Sequence, residues 1–162
     1  MAQTIDIKKQ NKEALKWILD IHDLRKSYFE SMATFATLGA VADDGLPKGT
    51  GTSNPCMNKA LSLVDMENRK KWIISIEQME QTLSEKSRKF LEIRRDAEHQ
   101  PNTKNEPGRP GWVNYTMAKY TEWHYYRYGG DFTPSVDQMK KWTNMIIDTT
   151  VRIAIKNGAM YW

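Results

Sequence analysis

The stretch GGDFTPSVDQMKKW, Gly129 to Trp142, decides how the second half of this chain is read. Gly129 and Gly130 can take, without a Cβ penalty, the backbone angles that end a helix. Pro134 presets a helical φ and lacks the N–H that a first turn leaves unpaired, and Ser135 with Gln138 has capping-box spacing. One helix is therefore predicted to stop near Tyr128 and another to start at about Thr133 to Ser135. Helix, turn and helix in this order suggest a helix-turn-helix, a unit that implies DNA.

Projecting the second helix at ~100° per residue sorts its side chains. Val136, Met139, Trp142, Ile146, Thr150 and Ile153 gather on one side. Asp137, Lys140, Lys141, Asn144, Asp148 and Arg152 share about a third of the circle on the other. A DNA-reading helix needs this division, because one face packs inward while the other offers groups to phosphates and base edges. An ordinary amphipathic helix with a solvated charged face has the same division, so the pattern alone leaves both readings open.

Charge favours the first reading. Residues 1–83 hold 11 Lys or Arg against 11 Asp or Glu, and residues 84–162 hold 13 against 9, so the net +4 of the 162-residue chain lies in the second part. Cationic side chains neutralise phosphates and release counterions, which supplies most non-specific DNA affinity. The single Cys56 excludes an internal disulfide and multi-cysteine metal sites, and suits a reducing cytoplasm. No apolar run approaches the ~18 residues that a bilayer span requires, and the start MAQTIDIKKQNKEALKW is too polar for a signal peptide. The expected location is the cytoplasm of the cell that makes the protein, with no membrane partner and no cofactor.

Outward from the deciding stretch, the chain reads as helices separated by two Gly/Pro-rich breaks. A first helix is predicted from about Asn11 to Thr34, with Trp17, Ile21, Leu24, Tyr28 and Phe35 near the spacing of a coiled-coil seam. A linker follows at 38–55, which lets that helix sit apart from the rest and meet a second copy, or fold back so that its stripe packs against the helix of Leu61 to Leu83 in a monomer. Asn54 and Pro55 mark the next helix, whose apolar face runs through Met57, Leu61, Val64, Trp72, Ile76, Met79 and Leu83. Ser84 is placed to cap another helix, which buries Phe90, Leu91 and Ala97 and exposes Arg88, Lys89, Arg94 and Arg95. The polar, proline-rich stretch at 100–111 is an exposed loop.

Trp112 to Tyr128, WVNYTMAKYTEWHYYRY, is dense in Trp and Tyr. Such rings can stack on unpaired bases. The preferred reading is that they build the core of a small helical domain, with Lys119 and Arg127 reaching phosphates from the same helix. Enzymatic chemistry finds no constellation: His22, His99 and His124 are scattered, and HExxH, nucleophile-elbow, EF-hand and phosphate-loop patterns are all missing. His124, alone among aromatics, reads as a packed or partly exposed core residue.

The segments PKGTGTSNPCMNKALSLVD (Pro47 to Asp65) and GRPGWVNYTMAKYTEWHYYRYGGDFTPSVDQMKKWTNMI (Gly108 to Ile146) resemble phage late-transcription regulators of the ArpU and RinA kind. That resemblance implies a helical fold whose C-terminal part is like region four of a sigma factor, binding promoter DNA upstream of late genes. The family's DNA-reading helix falls on the segment beginning at Ser135, so Lys140, Lys141 and Asn144 match its exposed positions. Asp137 and Asp148 on the same face depart from it.

The expectation is an all-α chain in two regions. Residues 1–83 form a helical oligomerisation and interaction region, and residues 84–162 a helix-turn-helix domain with its exposed loop at 100–111. Lys119, Arg127, Ser135, Gln138, Lys140, Lys141, Asn144 and Arg152 are the expected DNA contacts, with Gln138 and Asn144 as adenine readers and Lys140, Lys141 and Arg152 on phosphates. Host RNA polymerase and a second copy of the chain are the further partners. The alternatives are a small terminase subunit that recognises a packaging site, and a DNA-free helical adaptor that binds a host factor.

Overall fold

Among the residues described by the computed structural model, 7–41, 55–100 and 111–160, with backbone alone at 38–41 and 55–61, every regular element is helical. The elements are α1 (Ile7–Leu19), α2 (Ile21–Val41), α3 (Pro55–Thr82), α4 (Glu85–Glu98), α5 (Gly111–Tyr128) and α6 (Val136–Lys156). The all-α expectation therefore holds. The interior of the linker expected at 38–55 and of the loop expected at 100–111 lies outside the described residues, as does Cys56 apart from its backbone.

Local signals set the helix ends. Gly129 and Gly130 close α5 at φ 70 and 82, in the left-handed region where only glycine is at ease. Ser135 and Gln138 complete a reciprocal capping box: Gln138 N–H donates to Ser135 Oγ at 3.1 Å, and Ser135 N–H to Gln138 Oε1 at 2.9 Å. Ser84 caps α4 by accepting from Ser87 N–H at 3.2 Å. Arg88 reaches back from α4 to the carbonyls of Glu80, which also accepts Leu83 N–H, and of Leu83 at the end of α3.

The first helix differs from its expectation of one rod over 11–34. It is interrupted at Asp20, although Asp20 N–H still donates to Lys16 O and Leu24 N–H to Asp20 O, both at 2.9 Å. The two pieces serve different neighbours: α1 packs on α6 and α4, whereas α2 follows α3. The seam residues consequently find cover within the chain, with Ile21 0% and Leu24 2% exposed. The helix does not sit apart.

One core joins the two expected regions. Ile18, Ile21 and Leu24 meet Trp72, Ile76 and Met79 of α3, Phe90 and Leu91 of α4, Val113 and Tyr120 of α5, and Met139, Ile146 and Ala154 of α6 in a single cluster. α6 rests chiefly on α3 and α1, and α5 on α4. Between α5 and α6 the bridge is a ring pair, Tyr120 against Trp142 at 5.3 Å, with Phe132 of the connection against Tyr120 at 6.2 Å. Their connection, residues 129–135, is longer than the roughly three- to four-residue turn of a helix-turn-helix.

Three side chains depart from their sequence expectation in this part of the fold; the first, Arg95, is largely covered, its Nε donating to Ile18 O at 2.9 Å while it pairs with Glu80. Arg94 is buried, not exposed: its guanidinium lies over the Trp112 ring at 4.1 Å and one terminal nitrogen pairs with Glu98, while its buried Nε has no partner. Burial pushes its pKa down against the raising influence of Glu98. Val64 is 66% exposed, because the helical pair formed by α2 and α3 runs beyond the core. From 26 to 37 and from 62 to 71 no side chain is fully buried. There a polar contact ties the helices, Arg69 of α3 donating to Ser27 Oγ of α2 while it pairs with Asp65 one turn back on its own helix.

Candidate nucleic-acid interface

The outward face of α6 follows from its inward one. Met139, Ile146 and Thr150 are buried, Thr150 donating its hydroxyl to Ile146 O at 2.8 Å, and Val136, Trp142 and Ile153 are partly covered. Asp137, Lys140, Lys141, Asn144, Asp148 and Arg152 are all exposed, as projected. Among the described residues the side chains of Lys140, Lys141, Asn144 and Arg152 make no hydrogen bond or ion pair, so their donors face solvent. Lys140 and Arg152 stand roughly 18 Å apart along the axis at 1.5 Å rise per residue, more than the ~12 Å width of a major groove. The face is mixed in sign, since Asp137 and Asp148 interrupt it.

Ser135 and Gln138 are spent differently. Both side chains build the α6 cap, and the Gln138 carbonyl oxygen that an adenine contact uses already accepts Ser135 N–H. Asn144 is left as the amide of this face with no bond of its own among the described residues.

The two cations of α5 are engaged as well. Lys119 pairs with Glu122 at 3.4 Å, one turn along the same helix. Arg127 Nε donates to Glu85 at 2.8 Å, and Tyr128 donates its hydroxyl to the other oxygen of that carboxylate at 2.9 Å. These bonds hold the Glu85 carboxyl below its ordinary value of 4.5, Arg127 first and Tyr128 second, and they raise both partners in turn. With Lys86 over the Tyr128 ring at 4.8 Å, this cluster fastens the start of α4 to the end of α5. The structure thus brings Lys140, Lys141, Asn144 and Arg152 onto one open face and places Lys119 and Arg127 in ion pairs on another helix.

The aromatic helix divides. Tyr120 is 1% exposed and touches Trp123, Phe132 and Trp142, and burial pushes its hydroxyl up to about 12. Tyr125 and Tyr126 are 55% and 79% exposed. His124 is partly covered, with Phe132 and Tyr128 rings at 4.8 and 5.0 Å, and its buried Nδ1 has no partner. The core reading fits Tyr120 and His124, and fails for Tyr125 and Tyr126.

Sequence reasoning missed the Glu85 cluster, whose members are 42 and 43 positions apart and carry no local signal. It also missed a groove between α4 and α5, although the spacings of Lys89 with Glu92 and Lys119 with Glu122 could have marked its walls. No described helix is long and apolar enough to cross a membrane. The chain matches no protein-family model, no curated protein and no solved structure.

Proposed function

We propose that this chain is a DNA-binding regulator that contacts duplex DNA through the outward face of α6. The observation that carries the reading is the set of exposed, unpaired donors Lys140, Lys141, Asn144 and Arg152 on one side of a helix anchored in the core. Their spread suits phosphates on either side of a groove with an amide between them. The α5–α6 segment would act as the helix-turn-helix, in a phage late-gene activator of the kind the sequence resembles, with host RNA polymerase and a second copy as further partners. Lys119 and Arg127 contribute less than α6, because a carboxylate already neutralises each.

The test compares specific and random duplexes across a salt series. Lys141→Ala weakens both alike and lowers the salt slope by about one unit, Lys119→Ala leaves the slope nearly unchanged, and Asn144→Ala costs ~1 to 3 kcal/mol on the preferred site alone. Equal slopes for the wild type and Lys141→Ala would remove α6 from the interface.

A DNA-free adaptor is the second reading. It is favoured by the mixed sign of the α6 face and by Phe29, 63% exposed, and Val64 on the outlying pair of helices. It predicts no salt-dependent DNA binding at all.

A further inference from the structure

The groove between α4 and α5 has a composition that duplex binding does not use. The helices run antiparallel there, since Arg127 meets Glu85 at one end and Arg94 stacks on Trp112 at the other. Tyr115, Trp123 and Tyr126 from α5 line a cavity of about 410 Å³ whose opposite wall carries Lys89, Glu92 and Asp96. By that topology Asp96 lies toward Tyr115, and Lys89 toward Tyr126. The distance along α4 from Lys89 to Asp96 is roughly 10 Å at the helical rise.

The charges decide what fits. Lys89 pairs with Glu92 at 2.8 Å and Lys119 with Glu122 at 3.4 Å, so both cations of the groove are matched within their own helices. Asp96 is exposed and its carboxylate has no partner among the described residues, which leaves one negative charge over. A phosphate would have to draw a lysine from its carboxylate and would still face Asp96. An apolar side chain would strip water from Asp96 without replacing it. A cation gains from both features of the wall, the carboxylate and the aromatic side chains. Guanidinium suits it better than ammonium, being planar, more weakly hydrated and able to stack on a ring while it forks onto an acid.

We propose that the α4–α5 groove holds an arginine side chain of a partner protein, with the guanidinium at Asp96 and the aliphatic stem along Trp123. It goes beyond the DNA reading and does not rest on it, because no residue of the outward α6 face takes part.

The probe is the blocked tripeptide acetyl-Gly-Arg-Gly-amide, titrated into the full-length protein while backbone amide resonances are followed. Shifts should concentrate in 92–96 and 115–126 and saturate in the millimolar range. The analogue with citrulline in place of arginine should bind at least roughly tenfold more weakly, because it keeps the shape and loses the charge. Asp96→Asn should weaken the arginine peptide by about three- to tenfold, whereas Tyr126→Ala, at the Lys89 end of the groove and roughly 10 Å along it, should leave binding within about twofold. Both positions are exposed, so the fold should survive, and unchanged dispersion of the spectrum checks this. Lys141→Ala should leave peptide binding unchanged, so failure of the α6 reading is distinguishable from failure here. Equal binding of the citrulline analogue, indifference to Asp96→Asn, or no saturable shift at the groove each overturns the proposal. So does a decathymidylate that shifts the same amides at lower concentration, since that outcome assigns the groove to nucleic acid.

Discussion

α5 and α6 follow one another in the chain, and both carry cations, yet they hold them in opposite ways. Lys119 and Arg127 on α5 are each matched by a carboxylate, while Lys140, Lys141 and Arg152 on α6 have none among the described residues. Formal charge is therefore a poor guide to where a polyanion would bind. Available charge is the better one, because an ion pair must be broken before its cation can neutralise a phosphate. The inward faces differ too: α6 rests on α1 and α3, from the first part of the chain, whereas α5 rests on its neighbour α4.

The largest expected effect tests that last difference. A fragment of residues 84–162 keeps α5 on α4 but takes Ile18, Trp72, Ile76 and Met79 away from the shared core. It should lose cooperative unfolding and amide dispersion, since a second part without its inner wall exposes an apolar face it cannot cover. A fragment that unfolds cooperatively with wild-type dispersion would instead establish 84–162 as an autonomous domain.

The next effect separates the two sides of α5 itself. Tyr120→Ala should cost about 3 to 5 kcal/mol in denaturant unfolding, because its ring fills the junction between α5 and α6. Tyr126→Ala, on the same helix and mostly in water, should stay within about 0.5 kcal/mol. Similar losses at both positions would mean that Tyr126 is packed in solution as firmly as Tyr120.

What could be read from the sequence was what nearest neighbours decide. Gly129, Gly130, Ser84, Pro55 and the pair Ser135 and Gln138 each act within a turn or two, and each marks the helix end it was expected to mark. The inward and outward faces of α6 were also legible, because helical periodicity fixes which side chains share a side. The partner of an inward face was not legible. Every helix here offers Leu, Ile, Met or aromatic residues to the core, and nothing local says that α6 meets α3 before α5. Arg94 and Val64 show the same limit from either side, a cation covered by the distant Trp112 and an apolar residue left where the helical pair outruns the core.

The smallest effect concerns the Glu85 cluster, which makes the cations of α5 different from those of α6. Glu85 accepts from Arg127 and Tyr128, and its folded pKa lies below the ordinary 4.5, so its charged form stabilises the folded state. For a carboxyl depressed by folding, that contribution is complete above the unfolded value of 4.5. It declines as pH falls below that value and is lost once pH passes the lower folded value. Glu85→Gln keeps the shape and removes the charge, so its melting temperature should lie slightly below wild type near neutral pH. The two curves should converge as the solution is acidified through that window. All three side chains are exposed, so added salt should shrink the neutral-pH difference as well. A gap that persists unchanged to about pH 2, or that ignores salt, would mean that hydrogen-bond geometry and not charge fastens α4 to α5, and that Arg127 is no less available to phosphate than Lys141.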